Sequence, residues 1–351
     1  MNEKLRQLVQ KLCEQHSLTI DEYEYLVREY TPHTAEVLRE KAVELRRGVY
    51  GDDVYIRGLI EISNDCKNDC YYCGIRRSNR KCDRYRLTKE DILLCCEEGY
   101  RLGFRTFVLQ GGEDMHFSDI VLCDIVSSIK ARYPDCAVTL SMGERSRESY
   151  EKLYKAGADR YLLRHETADA DHYAKLHPEE LTLENRLECL ENLRDIGYQV
   201  GCGFMVGSPY QTPRHIACDL KFIEKFKPDM CGVGPFIPHK DTPFGEFPAG
   251  DAELVCMLLS VIRIIHPSVL LPSTTALGSI HPTGREQGIL SGANVVMPNL
   301  SPENVRKKYM LYNGKASDGA EAAQCKEELE KRIASVGYRV VTHRGDIKKN
   351  S

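Results

Sequence analysis

The sequence predicts an α/β fold, a (β/α)8 TIM-type barrel of parallel strands with N-terminal helices and a C-terminal extension. Three observations predict it. Short β-type runs recur with helix-like stretches between them, the pattern of a parallel sheet built from βα units. Eight such runs can be counted, which suggests a closed barrel. No Gly-x-Gly-x-x-Gly turn follows the first run, as it usually does in a doubly wound open sheet.

In chain order, residues 1–53 read as helices preceding the barrel, because MNEKLRQLVQKLCEQH mixes charges with apolar residues at helical spacing. The barrel is expected over 54–312, with strands at 58–63, 106–110, 137–141, 160–164, 199–206, 230–234, 270–275 and 294–297. Helices are expected between them, for example over 88–102, where Thr88 and Asp91 have capping-box spacing, and over 146–156. Residues 313–351 read as an extension ending in a lysine-rich tail. The 351 residues accommodate a barrel of about 250 plus these additions.

Composition narrows the partners. Hydrophobic residues make up 42% and charged residues 28%, so the chain buries a large core. Its 48 basic and 52 acidic residues leave a net charge of -4, with no electrostatic footprint for a phosphate backbone, and nucleic acid is not expected as a partner. The N-terminus lacks the pattern of a secretory signal, and no apolar run of about 18 residues could cross a bilayer. A cytoplasmic enzyme that engages no membrane is the expectation.

Fifteen cysteines in so long a chain are better read as reduced thiols than as disulfide staples. Cys95, Cys96, Cys123, Cys189, Cys218 and Cys256 fall among apolar residues of expected helices and read as small hydrophobes. Only Cys66, Cys70 and Cys73 are tightly grouped, in the loop after the first barrel strand. A tetrahedral zinc site normally takes four protein ligands, and no fourth Cys or His stands at a matching short spacing. Three thiolates on a 4Fe-4S cluster leave one iron open to a ligand from outside the protein.

This spacing, with aromatic Tyr72 before the last cysteine, resembles the signature of the radical S-adenosylmethionine superfamily. The resemblance implies that the open iron chelates the amino and carboxylate groups of S-adenosylmethionine, which is then cleaved to a 5'-deoxyadenosyl radical. The second strand ends in Gly111-Gly112-Glu113, which resembles the family's Gly-Gly-Glu motif for the methionine ammonium group. A Gly-Gly turn after a strand is common in itself; its place one βα unit after the cysteine loop gives it weight.

Further segments cover roughly 55–312: RGLIEISN at 57–64, SMGE at 141–144, DRYLLRHET at 159–167, GPFIPH at 234–239, TTALG at 274–278, GAN at 292–294 and MPN at 297–299. Together they resemble the HydE family of FeFe-hydrogenase maturation proteins, which shares its barrel type with biotin synthase and methylornithine synthase. The resemblance implies Glu166 as acceptor for the ribose hydroxyls, Arg186 as partner of the methionine carboxylate and Ser141 as a further cofactor contact. It implies a substrate cavity lined by Thr139, Arg164, Thr274, Thr275, Met297, Tyr309 and Tyr312. Strand alternation lets Thr139 and Ser141, and likewise Leu162 and Arg164, share a face. Arg164 inside a barrel needs an anionic or polar partner. For the threonines, β propensity is the plain alternative, and for Met297 it is core filling.

The activity implied is radical processing of a cysteine-bound iron carbonyl cyanide complex during assembly of the hydrogenase diiron cluster, with other maturation proteins and an electron donor as partners. An amino-acid mutase of the methylornithine synthase type, a sulfur-inserting enzyme like biotin synthase, and a non-enzymatic scaffold for an iron complex are the alternatives. Some family members carry a second iron-sulfur site near the C-terminus built from three cysteines. This chain has only Cys325 beyond residue 300, which disfavours a second cluster, although Cys136, Cys202 and Cys231 lie at or near expected strands.

Overall fold

The computed structural model describes residues 1–316 and 321–348. Three helices, Glu3–Gln15, Ile20–Glu29 and Pro32–Tyr50, come first. Each starts where a side chain satisfies a free helical N–H: Asn2 accepts from Leu5, Thr19 from Glu22 in a full capping box, and Thr31 from Thr34. Their apolar faces bury Leu12, Tyr23, Leu26 and Leu38 completely. The second packs on helix Pro213–Phe226 and the third on helix Ala252–Ile265, so the segment thickens the outer helical layer.

Strand β1 (Asp53–Ile56) is followed by β2 (Gly58–Ser63), β3 (Thr106–Gly111), β4 (Ala137–Ser141), β5 (Arg160–Leu162), β6 (Gln199–Cys202), β7 (Met205–Val206), β8 (Met230–Cys231), β9 (Gly234–Pro235), β10 (Val295–Val296) and β11 (Arg339–Val341). A six-stranded parallel sheet runs β2-β3-β4-β5-β6-β8. Single parallel bridges, Met230 with Leu270, Pro272 with Val295 and Asn299 with Leu59, continue the pairing from β8 back to β2. Helices Lys89–Arg101, Asp119–Arg132, Arg147–Lys155, Leu183–Ile196, Pro213–Phe226 and Ala252–Ile265 lie between successive strand positions. Thr88 and Asp91 make the expected capping box, and Ser146 caps the helix that follows it.

Several expected strands are shorter than their sequence patterns. The run 199–206 divides at Gly203, where any Cβ would stand 2.0 Å from the Gly232 carbonyl oxygen. The run 230–234 divides in step with it, and β7 pairs with β9 in register Met205 to Gly234. Over 270–275 only isolated bridges form: Pro272 has no N–H to give, and Thr274 already caps helix Thr275–Ile280. Strands β1 and β11 carry no alternating pattern long enough to be read in advance. They pair with each other, Asp53 to Arg339, and β1 also pairs with β10.

The extension beyond 312 thus returns to the base of the barrel; its residues 317–320 and 349–351 lie outside the described residues. There the fully buried Arg160 donates to the Arg344 carbonyl at 2.8 Å and to Asp346 Oδ1 at 2.6 Å. Gln199 also donates to Asp346, at 2.9 Å, and the Thr106 hydroxyl donates to the Arg344 carbonyl at 2.7 Å. Inward-facing groups of three strands are therefore satisfied by one short tail, as burial of charge requires. Cys95, Cys96 and Cys189 are buried in the helical layer, while Cys123, Cys218 and Cys256 are half-buried. No helix among the described residues is long and apolar enough to cross a membrane.

Candidate active site

The site lies at the C-terminal ends of the strands, where the loops of a barrel meet. The loop from β2 to helix Lys89–Arg101 is held by its own polar groups rather than by regular structure. Asn64 donates to the Asp83 carbonyl at 2.9 Å and the Lys308 carbonyl at 2.8 Å, and accepts from Tyr85 N–H at 2.7 Å. Arg84 donates to the carbonyls of Ile75 and Arg76, each at 2.7 Å. Asp69 accepts from Arg76 Nε at 2.7 Å and from the Ser78 hydroxyl at 2.7 Å, and the Arg76 guanidinium holds its carboxyl well below the usual range.

Within this frame Cys66, Cys70 and Cys73 face a cavity of about 300 Å³. Burial pushes all three thiols up, Cys73 to about 12, and a thiolate at Cys66 further opposes ionisation of Cys70 and Cys73. Three half-buried thiols that resist ionisation alone suit a cationic group that all three share. Among the described residues no three His, Cys, Asp or Glu converge closely enough for a single metal ion. The three thiols share one cavity wall with no histidine or fourth cysteine among its lining residues, a donor set of three thiolates that suits an iron-sulfur cluster with one iron left open.

The turn after β3 is fitted to this loop. A Cβ on Gly112 would lie 2.1 Å from the Asp65 carbonyl oxygen and 2.7 Å from Cys66 Cβ, so only glycine allows the approach. Glu113 N–H donates to Cys66 Sγ at 3.4 Å, and the Glu113 carbonyl accepts from Lys67 N–H at 3.0 Å. The Glu113 side chain turns under Gly143, whose φ is +72°, and accepts from Glu144 N–H at 3.0 Å; Lys67 Nζ stands 3.3 Å from its other oxygen.

Of the residues singled out from the sequence for the cofactor, Tyr72, Gly111, Gly112, Glu113, Ser141, Glu166 and Arg186 all line the cavity. The Tyr72 hydroxyl donates to His177 Nε2 at 3.1 Å, since His177 Nδ1–H is committed to the Tyr173 carbonyl at 2.9 Å. Burial holds His177 down to about 3, which keeps it a neutral acceptor. Arg186, on the buried face of helix Leu183–Ile196, has Nε 2.7 Å from Glu144 Oε1 and donates to the Arg164 carbonyl at 3.4 Å. Burial opposes its charge, but Tyr173, Glu144 and Glu113 around it hold the guanidinium ionised. Glu144, which also accepts from Asn185 at 2.5 Å, thereby fixes how Arg186 faces the cavity.

Glu166 has φ +65°, a left-handed backbone uncommon outside glycine. Its N–H donates to the Gly203 carbonyl at 3.0 Å and its carbonyl accepts from Met205 N–H at 3.3 Å, so the neighbouring strand enforces the conformation. Arg164 stands 3.1 Å from the Glu166 carboxylate, an ion pair whose angle falls short of a hydrogen bond. Glu166 is thereby the anionic partner that an arginine inside a barrel needs.

Of the residues singled out for the substrate, Arg164, Thr274, Tyr309 and Tyr312 line the same cavity; Thr139, Thr275 and Met297 do not. Thr139 lies two residues below Ser141, in register with Arg160, and its buried hydroxyl has no hydrogen-bond partner. Thr275 donates to Glu321 at 3.2 Å, and Met297 packs on the lower apolar cluster of Tyr50, Tyr55, Met230, Leu270 and Val295. Cys136, Cys202 and Cys231 are buried and off the cavity wall, and Cys325 is half-buried and apart from it. Gln110, Phe236 and Leu311 also contribute to the wall. Gln110 stands one residue before a motif and Phe236 lies inside a quoted segment, but Leu311 follows no pattern that sequence could reveal.

Comparison with known proteins gives this geometry a family. Residues 60–223 match the Radical SAM superfamily. The chain is 48% identical over 280 residues to the FeFe-hydrogenase maturase subunit HydE of Thermotoga maritima, covering 80% of each chain. It is 26% identical over 304 residues to 3-methylornithine synthase of Methanosarcina acetivorans, covering 86% of this chain and 85% of that one. The crystal structure of methylornithine synthase PylB superposes with a TM-score of 0.82 at 25% identity, covering 95% of this chain and 97% of the other.

Proposed function

The chain belongs to the family of the FeFe-hydrogenase maturase subunit HydE, within the radical S-adenosylmethionine superfamily, and from that premise we propose that its cavity processes a cysteine-bound iron carbonyl cyanide precursor of the hydrogenase H-cluster. Enzymes of this superfamily use a 4Fe-4S cluster with S-adenosylmethionine, and when bound these supply one-electron cleavage of the sulfonium to a 5'-deoxyadenosyl radical. Other maturation proteins and an electron donor are the chain's partners.

Cys66, Cys70 and Cys73 would hold the cluster. Gly111, Gly112, Glu113 and Ser141 would receive the methionine portion with Arg186, whose planar fork suits a carboxylate. Glu166 would accept from the ribose hydroxyls, and Tyr72, fixed by His177, would flank the cofactor. Arg164, Thr274, Tyr309 and Tyr312 would contact the substrate; Thr139, Thr275 and Met297 would support that wall from outside it.

One observation carries the choice of substrate: among the described residues the wall has no spare carboxylate for an ammonium group. Glu113 already faces Lys67 and Glu166 already faces Arg164, while the hydroxyls of Thr274, Tyr309 and Tyr312 supply neutral donors. Cyanide, carbon monoxide and cysteine carboxylate groups on iron suit such a lining. The test is an anaerobic assay of the reconstituted protein with S-adenosylmethionine and a reductant. A synthetic cysteine-bound iron carbonyl cyanide complex should stimulate formation of 5'-deoxyadenosine or its derivatives, and lysine should not. The likeness to 3-methylornithine synthase supports a second reading, an amino-acid mutase. Lysine-driven turnover with hydrogen exchange into 5'-deoxyadenosine would replace the first reading with the second, and no cleavage under any condition would favour a scaffold.

A further inference from the structure

Residues 309–316 cross the mouth of the barrel as a strap. The Leu311 carbonyl accepts from Gly74 N–H at 2.8 Å, directly after Cys73. This fit is close: a Cβ on Gly74 would stand 2.1 Å from the Met310 carbonyl oxygen. Asn313 N–H donates to the Pro238 carbonyl at 3.0 Å, and Ala316 N–H to the Ser279 hydroxyl at 3.2 Å. Three sides of the mouth are thereby tied to one segment, which itself supplies Tyr309, Leu311 and Tyr312 to the cavity wall.

From this strap Lys315 turns inward. Its ammonium lies 2.6 Å from Glu61 Oε1 and 5.2 Å from the centre of the Tyr309 ring, with the side chains of Lys315 and Glu61 6% and 0% exposed. The other Glu61 oxygen accepts from Asn299 Nδ2 at 2.9 Å, and Gln110 donates to the Tyr309 hydroxyl at 3.4 Å. Burying an ion pair recovers little net stability, because desolvation offsets the attraction. What the pair does supply is direction: the ammonium is expelled from any apolar alternative and satisfied in one place.

We propose that Lys315 is a positioning residue, whose buried pair with Glu61 latches the 309–316 strap so that Tyr309 and Tyr312 face the substrate. The proposal rests on the reading of that wall as the substrate side. Lys315→Met keeps the length of the side chain and removes its charge, Lys315→Arg keeps the charge, and the double variant Lys315→Met with Glu61→Gln removes both charges without leaving one buried alone.

The experiment uses the cluster-reconstituted protein. Amide hydrogen exchange across 309–316 should quicken at least tenfold in Lys315→Met and in the double variant and return toward wild type in Lys315→Arg. Iron content and S-adenosylmethionine affinity should stay within twofold. Stimulation of 5'-deoxyadenosine formation by the synthetic iron complex should fall at least fivefold in the same two variants. Wild-type exchange in both charge-removing variants overturns the latch, and faster exchange with unchanged stimulation overturns the positioning role. Should Lys315→Met not fold, the double variant decides both. A complex that fails to stimulate the wild type counts against the proposed substrate alone, since the exchange measurement still tests the latch.

Discussion

Glu113 is bonded to Cys66 through its own backbone: its N–H donates to the thiol sulfur at 3.4 Å, and its carbonyl takes the N–H of the next residue, Lys67, at 3.0 Å. The turn after β3 and the cysteine loop are thus one unit, and the first prediction is drawn from it. Cys66→Ala, Cys70→Ala and Cys73→Ala should each lose the cluster, read as iron content and visible absorbance after anaerobic reconstitution. Cys325→Ala should retain it. A Gly112→Ala change should also lose most of the iron, because its methyl group meets the Asp65 carbonyl and Cys66.

The raised thiols set a pH dependence. A thiol whose pKa is higher folded than unfolded favours the native state below its unfolded value, and that contribution disappears as pH rises through the folded value. For Cys73 the window runs from the ordinary 9.0 to about 12. Cluster-free protein should therefore lose melting temperature above about pH 9, less steeply in Cys73→Ser. The loaded protein should show little of this dependence, since a bound cluster already holds the thiolate.

Glu144 and Arg186 give a graded pair of variants. Arg186→Lys loses the fork and should weaken S-adenosylmethionine binding about tenfold or more, the scale of one charge-assisted hydrogen bond at roughly 1.5–3 kcal/mol. Glu144→Gln leaves Arg186 in place but loosens its orientation, so the loss should be smaller. Titration of the reduced cluster's spectrum with cofactor measures both.

Glu166 separates stability from binding. Its left-handed backbone costs about 1 kcal/mol in any residue but glycine. Glu166→Gly should hence melt higher than Glu166→Ala, while both bind S-adenosylmethionine more weakly than wild type. Equal melting temperatures for the two variants would mean that the strand contacts absorb the strain.

Arg164→Leu should reduce stimulation by the iron complex more than it reduces cofactor affinity. Removing its charge leaves Glu166 without its 3.1 Å partner, so a modest cofactor effect is expected as well. The comparison to make is the ratio of the two effects.

Much of this was legible in the sequence because it rests on local rules. Thr88 and Asp91 announce a capped helix, the β2 run carries Leu59, Ile60 and Ile62, and the three cysteines stand in one loop. What was illegible depends on long-range fit. Glu144 lay in a quoted segment, but nothing local says that it orients Arg186 from another loop. Thr139 and Ser141 share a face in sequence, yet only the depth of the cavity separates them. Lys315 looks like a solvent-facing lysine in a polar stretch until Glu61, on the first strand of the sheet, is placed beneath it.

The pairing of β1 with β11 bears on how the chain is made. Arg339 meets Asp53 across 286 residues of sequence, and Arg160 waits for Asp346. Loop closure on that scale is slow, and contacts of high sequence separation retard folding. During synthesis at about 5–20 residues per second, the edge of β1 stays uncovered until residues 339–341 have been made, some 15–60 seconds after it appears. An exposed strand edge is a template for wrong pairing. The nascent barrel therefore has a built-in interval of vulnerability at its base, well away from the mouth where its chemistry is done.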